Sequence, residues 1–150
     1  MGTATGSGGI FRVGLASNAA PGSLTAYGSD TFRTIGYIES DTPPTFKKKI
    51  SEVPTLNDGT LQFGGGLEAQ VYEINYVRNF TETANEDVFT DGRSTSAIYR
   101  NFKIVFSDAG AEEWNFVGFV SEYALGERTA EGAIKVKVTI NVYGTITVQP

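Results

Sequence analysis

The sequence predicts an all-β protein carrying one short helix, and three stretches support that reading. From Ile134 to Val148, Ile134, Val136, Val138, Ile140, Val142, Ile146 and Val148 alternate with Lys135, Lys137, Thr139, Asn141, Tyr143, Thr145 and Thr147. This is the period of a half-buried strand. Ala97 to Phe106 and Glu112 to Tyr123 flank a turn at Ser107 to Gly110, the pattern of a β-hairpin. In Leu67 to Val77, rich in β-branched and aromatic residues, Tyr72, Ile74 and Tyr76 fall on one face of a strand.

The remaining elements follow in chain order. Residues 1–9 are small and carry too little apolar surface to offset the entropy of ordering them, which predicts a flexible arm. Ile10 to Ala16 and Thr31 to Ile38 read as strands, separated by a linker with the turn pair Pro21-Gly22. Between Glu39 and Gly66 the composition changes: Pro43-Pro44, Lys47-Lys48-Lys49, Pro54, Asn57-Asp58-Gly59 and Gly64-Gly65-Gly66 predict a long inter-strand loop. Its apolar residues Phe46, Ile50, Val53, Leu56, Leu61 and Phe63 are too scattered for a regular core strand. Long loops inside compact domains are functional or disordered, and these apolar residues favour function. Thr81 opens a run resembling a capping box, followed by acidic residues that suit a helix N-terminus, so one short helix is predicted to Phe89, ended by Asp91-Gly92. A single domain over residues 10–150 is the expected organisation.

Composition excludes more than any motif includes. The 150 residues contain no histidine and no cysteine, which removes the commonest general acid/base and metal ligand, every thiolate nucleophile and any disulfide. No cofactor is expected. The net charge of −5 opposes tight nucleic-acid binding. There is no run of eighteen apolar residues and no secretory pattern at the N-terminus, so a soluble product made in the cytoplasm is expected.

Local motifs read as structure. Gly6-Ser-Gly-Gly9 lacks the preceding strand and the lysine of a phosphate loop, and Gly64-Gly65-Gly66 lacks the following helix. Glu112 and Glu113 are adjacent and point to opposite faces of a strand, while Glu122 has no evident partner, so paired-carboxylate chemistry is remote. Asn57-Asp58-Gly59 and Asp91-Gly92 read as turns without calcium-loop spacing. The three lysines Lys47 to Lys49 fit the blunting of a sheet edge better than an acidic partner. Trp114 and Phe116, opposite Phe102, Ile104 and Phe106, look like core rather than a sugar-stacking platform.

The final strand is the informative anomaly. It runs for about 15 residues where strands are usually about 5–6. Gly144 near its middle offers a place to bend or bulge. An overhang of this kind presents unpaired backbone groups that template pairing with another chain. The predicted behaviour is self-association.

The order of elements, and above all Phe102 to Val148 with its aromatic–glycine strand Phe116-Val-Gly-Phe-Val120, resembles the tail tube (major tail) proteins of long-tailed bacteriophages. The resemblance implies a β-sandwich or partial barrel with one flanking helix, six copies per ring, and strands of neighbouring subunits joined into a continuous inner β-barrel. It also implies rings stacked into a hollow virion tube, with DNA passing the lumen without specific binding. Partners would be the chain itself, a tape-measure protein and tail-tip or terminator proteins, and no membrane. The arm and long loop would reach neighbouring copies. The implied inter-subunit contacts are Ile10, Phe11, Phe46, Lys48, Ile50, Leu56, Leu61, Phe63 and Tyr143. No extra C-terminal immunoglobulin-like domain is expected, the sequence ending at Pro150. The competing readings are a β-sandwich binding module (a virion decoration or carbohydrate-binding domain) using Tyr143 or Tyr72, and a glycosidase using Glu112 or Glu122.

Overall fold

A computed structural model describes residues 10–57, 59–106, 112–128, 130 and 132–149, without the side chains of Phe63, Glu127 and Arg128. The arm expected over 1–9 and the turn expected at Ser107 to Gly110 lie outside the described residues.

Among the described residues the strands are β1 (Ile10–Asn18), β2 (Phe32–Ile35), β3 (Ile38–Thr42), β4 (Lys48–Thr55), β5 (Gly59–Leu67), β6 (Val71–Val77), β7 (Tyr99–Val105), β8 (Glu113–Arg128) and β9 (Ile134–Gln149), with one α-helix, α1 (Thr83–Arg93), between β6 and β7 and short 3-10 turns at Pro21–Ser23 and Tyr27–Ser29. Seven strands form an antiparallel sheet in the order β2-β1-β7-β8-β9-β6-β3, and β4 and β5 form a separate two-stranded sheet.

The run Thr31 to Ile38, expected as one strand, is two. It breaks at Gly36-Tyr37, and its halves β2 and β3 lie at opposite edges of the sheet. This break dictates the shape. A flat seven-stranded sheet has its edges about 29 Å apart at ~4.8 Å per strand, whereas the two linking residues span at most about 11 Å. The sheet must therefore curl until its edges almost meet, giving a partial barrel. Its concave side holds the core of Phe11, Val13, Ile35, Tyr72, Ile74, Tyr76, Phe102, Ile104, Phe116, Val136, Val138 and Ile140. Curling brings non-adjacent strands into contact: Phe11 on β1 packs on Tyr72 of β6 with ring centroids 5.2 Å apart. The alternation read in β6, β7, β8 and β9 is the alternation of this core, with Phe102 paired to Phe116 and Ile104 to Trp114.

Helix α1 covers the core beside β8, β2 and β1. It starts at Thr83 and runs through Asp91-Gly92, unlike the span expected from 81 to 89. The capping box does not form: the Thr81 hydroxyl donates to Asn79 instead, and Glu82 occupies the N-cap without capping. At the other end Asp91 is buried and accepts from Nε and Nη2 of Arg100. Arg100 also donates to the carbonyls of Gly14 and Leu15, tying helix, β7 and β1 together. Asp87 joins the group through Arg33 and, at 3.6 Å, Arg100. Burial raises the Asp91 carboxyl above its ordinary range, opposed by the Arg100 hydrogen bond and charge. Gly92 allows the helix to approach β8, since a Cβ there would sit 2.6 Å from the Cβ of Tyr123. Both residues that read as a turn thus have tertiary roles that keep them helical.

Residues 39–66 are mostly regular. Beyond β3 they form a hairpin in which Ser51 pairs with Phe63, Val53 with Leu61 and Thr55 with Gly59, closed by the Thr55 hydroxyl donating to the Gly59 carbonyl at 2.7 Å. The long loop expected here is corrected to an exposed β-hairpin. None of its described side chains joins the core, which is why its apolar residues lack the density of a core strand.

Removing one member of a buried ion pair strands its partner's charge. Arg100→Met should cost about 3–5 kcal/mol in denaturant unfolding, and a loss under ~1 kcal/mol would show that this network does not anchor the helix.

Candidate self-assembly surfaces

The longest elements, β8 and β9, pair with each other from Glu113–Gln149 to Arg128–Ile134. Their outer partners are shorter. On the β8 side, β7 pairs only with residues 113–119. On the β9 side, β6 pairs only with 135–141, followed by one bond from Val142 N–H to the Gln70 carbonyl. Among the described residues, the outer edge of β8 over 120–128 and that of β9 over 143–149 have no backbone partner. These free half-edges lie at diagonally opposite corners of one ribbon. Gly144, at φ +76°, falls where the β8–β9 register shifts between Asn115–Thr147 and Val117–Tyr143, so the bend foreseen in the final strand is a bulge within its free half.

The second free half-edge was hidden in the sequence. The alternation of β8 fails at Ser121-Glu122 and again near Gly126, where the register shifts, and these irregularities make the strand look finished at Tyr123.

The face of the sheet away from the core is only partly available. Residues 20–31 cross it over β1 and β7, held by Asn101 Nδ2 donating to the Thr25 carbonyl at 2.7 Å and to Asp30 at 2.9 Å. Gln149 donates to the Tyr27 hydroxyl at 3.3 Å. The open part is the β8–β9–β6 surface, with Thr139, Asn141, Tyr143, Thr145, Thr147, Asn75 and Ser121. Its charges nearly balance: Lys135 pairs with Glu39 at 3.3 Å, and Lys137 shares the face with Glu73 and Glu122. Tyr99, Phe119 and Tyr143 form an aromatic row on this face, with ring centroids 5.4 and 5.5 Å apart.

The contact residues expected from the sequence separate into groups. Ile50, Leu56 and Leu61 are exposed on the hairpin, with Leu56 fully so at its tip, and Lys48 is exposed at its base. Phe46 is half-exposed and serves as the hairpin's foot, its ring 5.2 Å from that of Trp114. Tyr143 is exposed on the open face, and Ile10 is half-buried at the start of β1. Phe63 has an undescribed side chain. Phe11 is corrected: at 1% exposure, stacked on Phe102, it is a core residue and has no surface to offer a neighbour. Tyr72 is likewise withdrawn as a glycan contact. Its ring is buried and its hydroxyl donates to Asp41 at 2.7 Å, burial and the Asp41 charge both raising its pKa.

The carboxylates considered for catalysis are engaged in holding strands. Glu112 accepts from Trp114 Nε1 at 2.6 Å, Glu113 faces Lys103 at 3.7 Å, and Glu122 accepts from the Thr139 hydroxyl at 3.5 Å. Among the described residues no group of three or more acidic side chains is placed to hold a metal.

No protein-family model and no curated protein matches the chain. Solved structures do. A chain from the tail of an empty gene transfer agent particle, refined with C6 symmetry, superposes with a TM-score of 0.66 at 14% identity, covering 97% of this chain and 98% of its own. A chain from the PVC extracellular contractile injection system sheath/tube terminator gives 0.66 at 13%, covering 95% and 93%. The SPP1 tail tube gives 0.65 at 12%, covering 97% and 78%. The curled seven-stranded antiparallel sheet with its single flanking helix is the tail tube fold.

Proposed function

We propose that this chain is a structural subunit of a phage-type tail tube, in which copies join side by side into rings of six and the rings stack into a hollow conduit for DNA. The observation that carries this reading is the diagonal pair of free half-edges. β8 and β9 run in opposite directions, so β9 143–149 of one copy and β8 120–128 of the next would meet antiparallel, with the neighbour displaced by about half a strand. A fixed stagger of this kind is what closing tilted strands into a barrel requires. Repeating the contact around a circle pairs both half-edges of every copy and removes the aggregation hazard of open strands.

Closure in this sense also assigns the open face. With the core on one side, the hydroxyl and amide groups of Thr139, Asn141, Thr145 and Thr147 would line the lumen. Their near-balanced charge suits a polyanion that must slide without being held. Six-fold closure is supported by the fold shared with the C6-symmetric gene transfer agent tail. In this role the chain resides in the virion tail and acts without catalysis, its further partners being a tape-measure protein inside and terminator or tip proteins at the ends.

The competing binding-module reading has one observation in its favour, the aromatic row ending in exposed Tyr143. It requires a stable monomer whose glycan binding disappears in Tyr143→Ala.

Electron microscopy of the concentrated protein should show rings or tubes roughly 100 Å across or narrower, the breadth of a few domains whose sheets pack about 10 Å apart. Dispersed monomers at every concentration, with or without a tip-protein nucleus, would overturn the proposal. Lysines on a free edge obstruct pairing while remaining solvated in the isolated subunit. The double variant Thr145→Lys/Thr147→Lys should therefore leave subunit stability within about 0.5 kcal/mol. It should raise the assembly concentration at least roughly tenfold, about 1.4 kcal/mol, as read by light scattering.

A further inference from the structure

One group of side chains on the face away from the core has no part in self-association. Lys103 of β7 stands directly opposite Asn115 of β8, and Glu113 lies two residues before Asn115 on the same face. The Lys103 Nζ is 3.7 Å from a Glu113 carboxylate oxygen and 4.5 Å from the centroid of the Phe32 ring, which covers it. Only 18% of the Lys103 side chain is exposed. A cross-strand ion pair accounts for Lys103 and Glu113, but it leaves Asn115 unexplained.

Asn115 is 2% exposed. Its Nδ2 donates to Gln149 Oε1 at 3.4 Å, while its Oδ1 is buried with no hydrogen-bond donor among the described residues. A buried carbonyl oxygen in that condition is costly to keep, and such groups mark strain or chemistry. Directly opposed residues of an antiparallel pair have Cβ atoms about 4.5–5.5 Å apart, a gap that the flexible stem of a lysine spans. An amine, an amide carbonyl and a carboxylate are thus gathered where little water reaches them.

We propose that Lys103 and Asn115 become joined by an isopeptide bond, which the folded chain forms by itself with Glu113 as the proton carrier. Glu113 takes a proton from the Lys103 ammonium, the gap between them closing in the reacting arrangement. The freed amine attacks Cγ of Asn115. The protonated Glu113 carboxyl meets the unpartnered Oδ1 and offsets the charge that develops there. The bond formed is Nζ–Cγ and the bond broken is Cγ–Nδ2. Both protons that Lys103 loses depart with the Asn115 amide nitrogen as ammonium, and Glu113 returns to its carboxylate. No oxidant or outside reactant is needed, and the event happens once per chain.

The bond staples β7 to β8 at the end of the ribbon where β9 finishes at Gln149, beside the free half-edge of 143–149. In a chain without cysteine it supplies the covalent constraint that no disulfide can. This inference stands apart from the tube reading, since a subunit can assemble with or without the staple.

Mass spectrometry of the full chain tests it. Trypsin cuts after unmodified lysine and arginine, so an unlinked chain yields residues 101–103 and 104–128 as separate peptides at full mass. The expected product is one 101–128 peptide, uncut at Lys103 and lighter by one ammonia. Glu113→Gln, close in shape but unable to carry the proton, should give the two separate peptides, and Lys103→Arg should do the same. Separate full-mass peptides from the wild type would overturn the proposal. So would an ammonia-light peptide still cut at Lys103, which is an asparagine cyclised on its own backbone, or a peptide light by one water, which makes Glu113 the acyl partner. An uncut, ammonia-light peptide from Glu113→Gln would overturn the role given to Glu113.

Discussion

A backbone amide on a strand must find an acceptor, in its own sheet, in water or in another molecule. In this chain that requirement is met unevenly. The β8–β9 ribbon is long enough to be paired throughout internally, but its outer neighbours are only seven residues each and attach at different ends. Everything that distinguishes the molecule from a closed, self-sufficient barrel follows from this offset, including the two bare half-edges and the open polar face between them.

The rest of the structure keeps that ribbon rigid. The two-residue link between β2 and β3 forces the sheet to curl, curling packs Phe11 on Tyr72 within the buried core, and the helix closes the remaining gap. The Asp87–Asp91–Arg33–Arg100 group then fixes the helix by charge rather than by apolar contact alone. Buried charges of this type contribute more to a single defined arrangement than to net stability when fully paired. The proposed assembly, which needs two edges presented at a set angle, has a use for that definition.

Much of the fold was legible because its strands are half-buried and alternate. Tyr72-Ile74-Tyr76 and Val136-Val138-Ile140 announce both strand and core by period alone. What was illegible involved contacts distant in sequence. Nothing local says that Ile35 and Ile38 belong to opposite edges of the sheet. The pairing of Asp91 with Arg100 overrode the turn chemistry of Asp91-Gly92. The β4–β5 hairpin was obscured because each face carries only a few apolar residues, and strand assignment by apolar density fails for a strand that is wholly exposed. Of the residues expected as contacts, Ile50, Leu56 and Leu61 lie exposed on the hairpin, as their loop-like setting in the sequence suggests. Phe11 was misplaced because it immediately follows the arm, whereas its ring is committed to the core.

Gly144 has a geometric consequence beyond its own bulge. A bulge increases the local right-handed twist of its strand, and this one lies within the stretch of β9 that has no outer neighbour. Any strand laid against that stretch inherits the extra rotation. In the proposed ring the number of members equals a full turn divided by the angle each contributes, so one residue without a side chain would take part in setting how many copies close the circle.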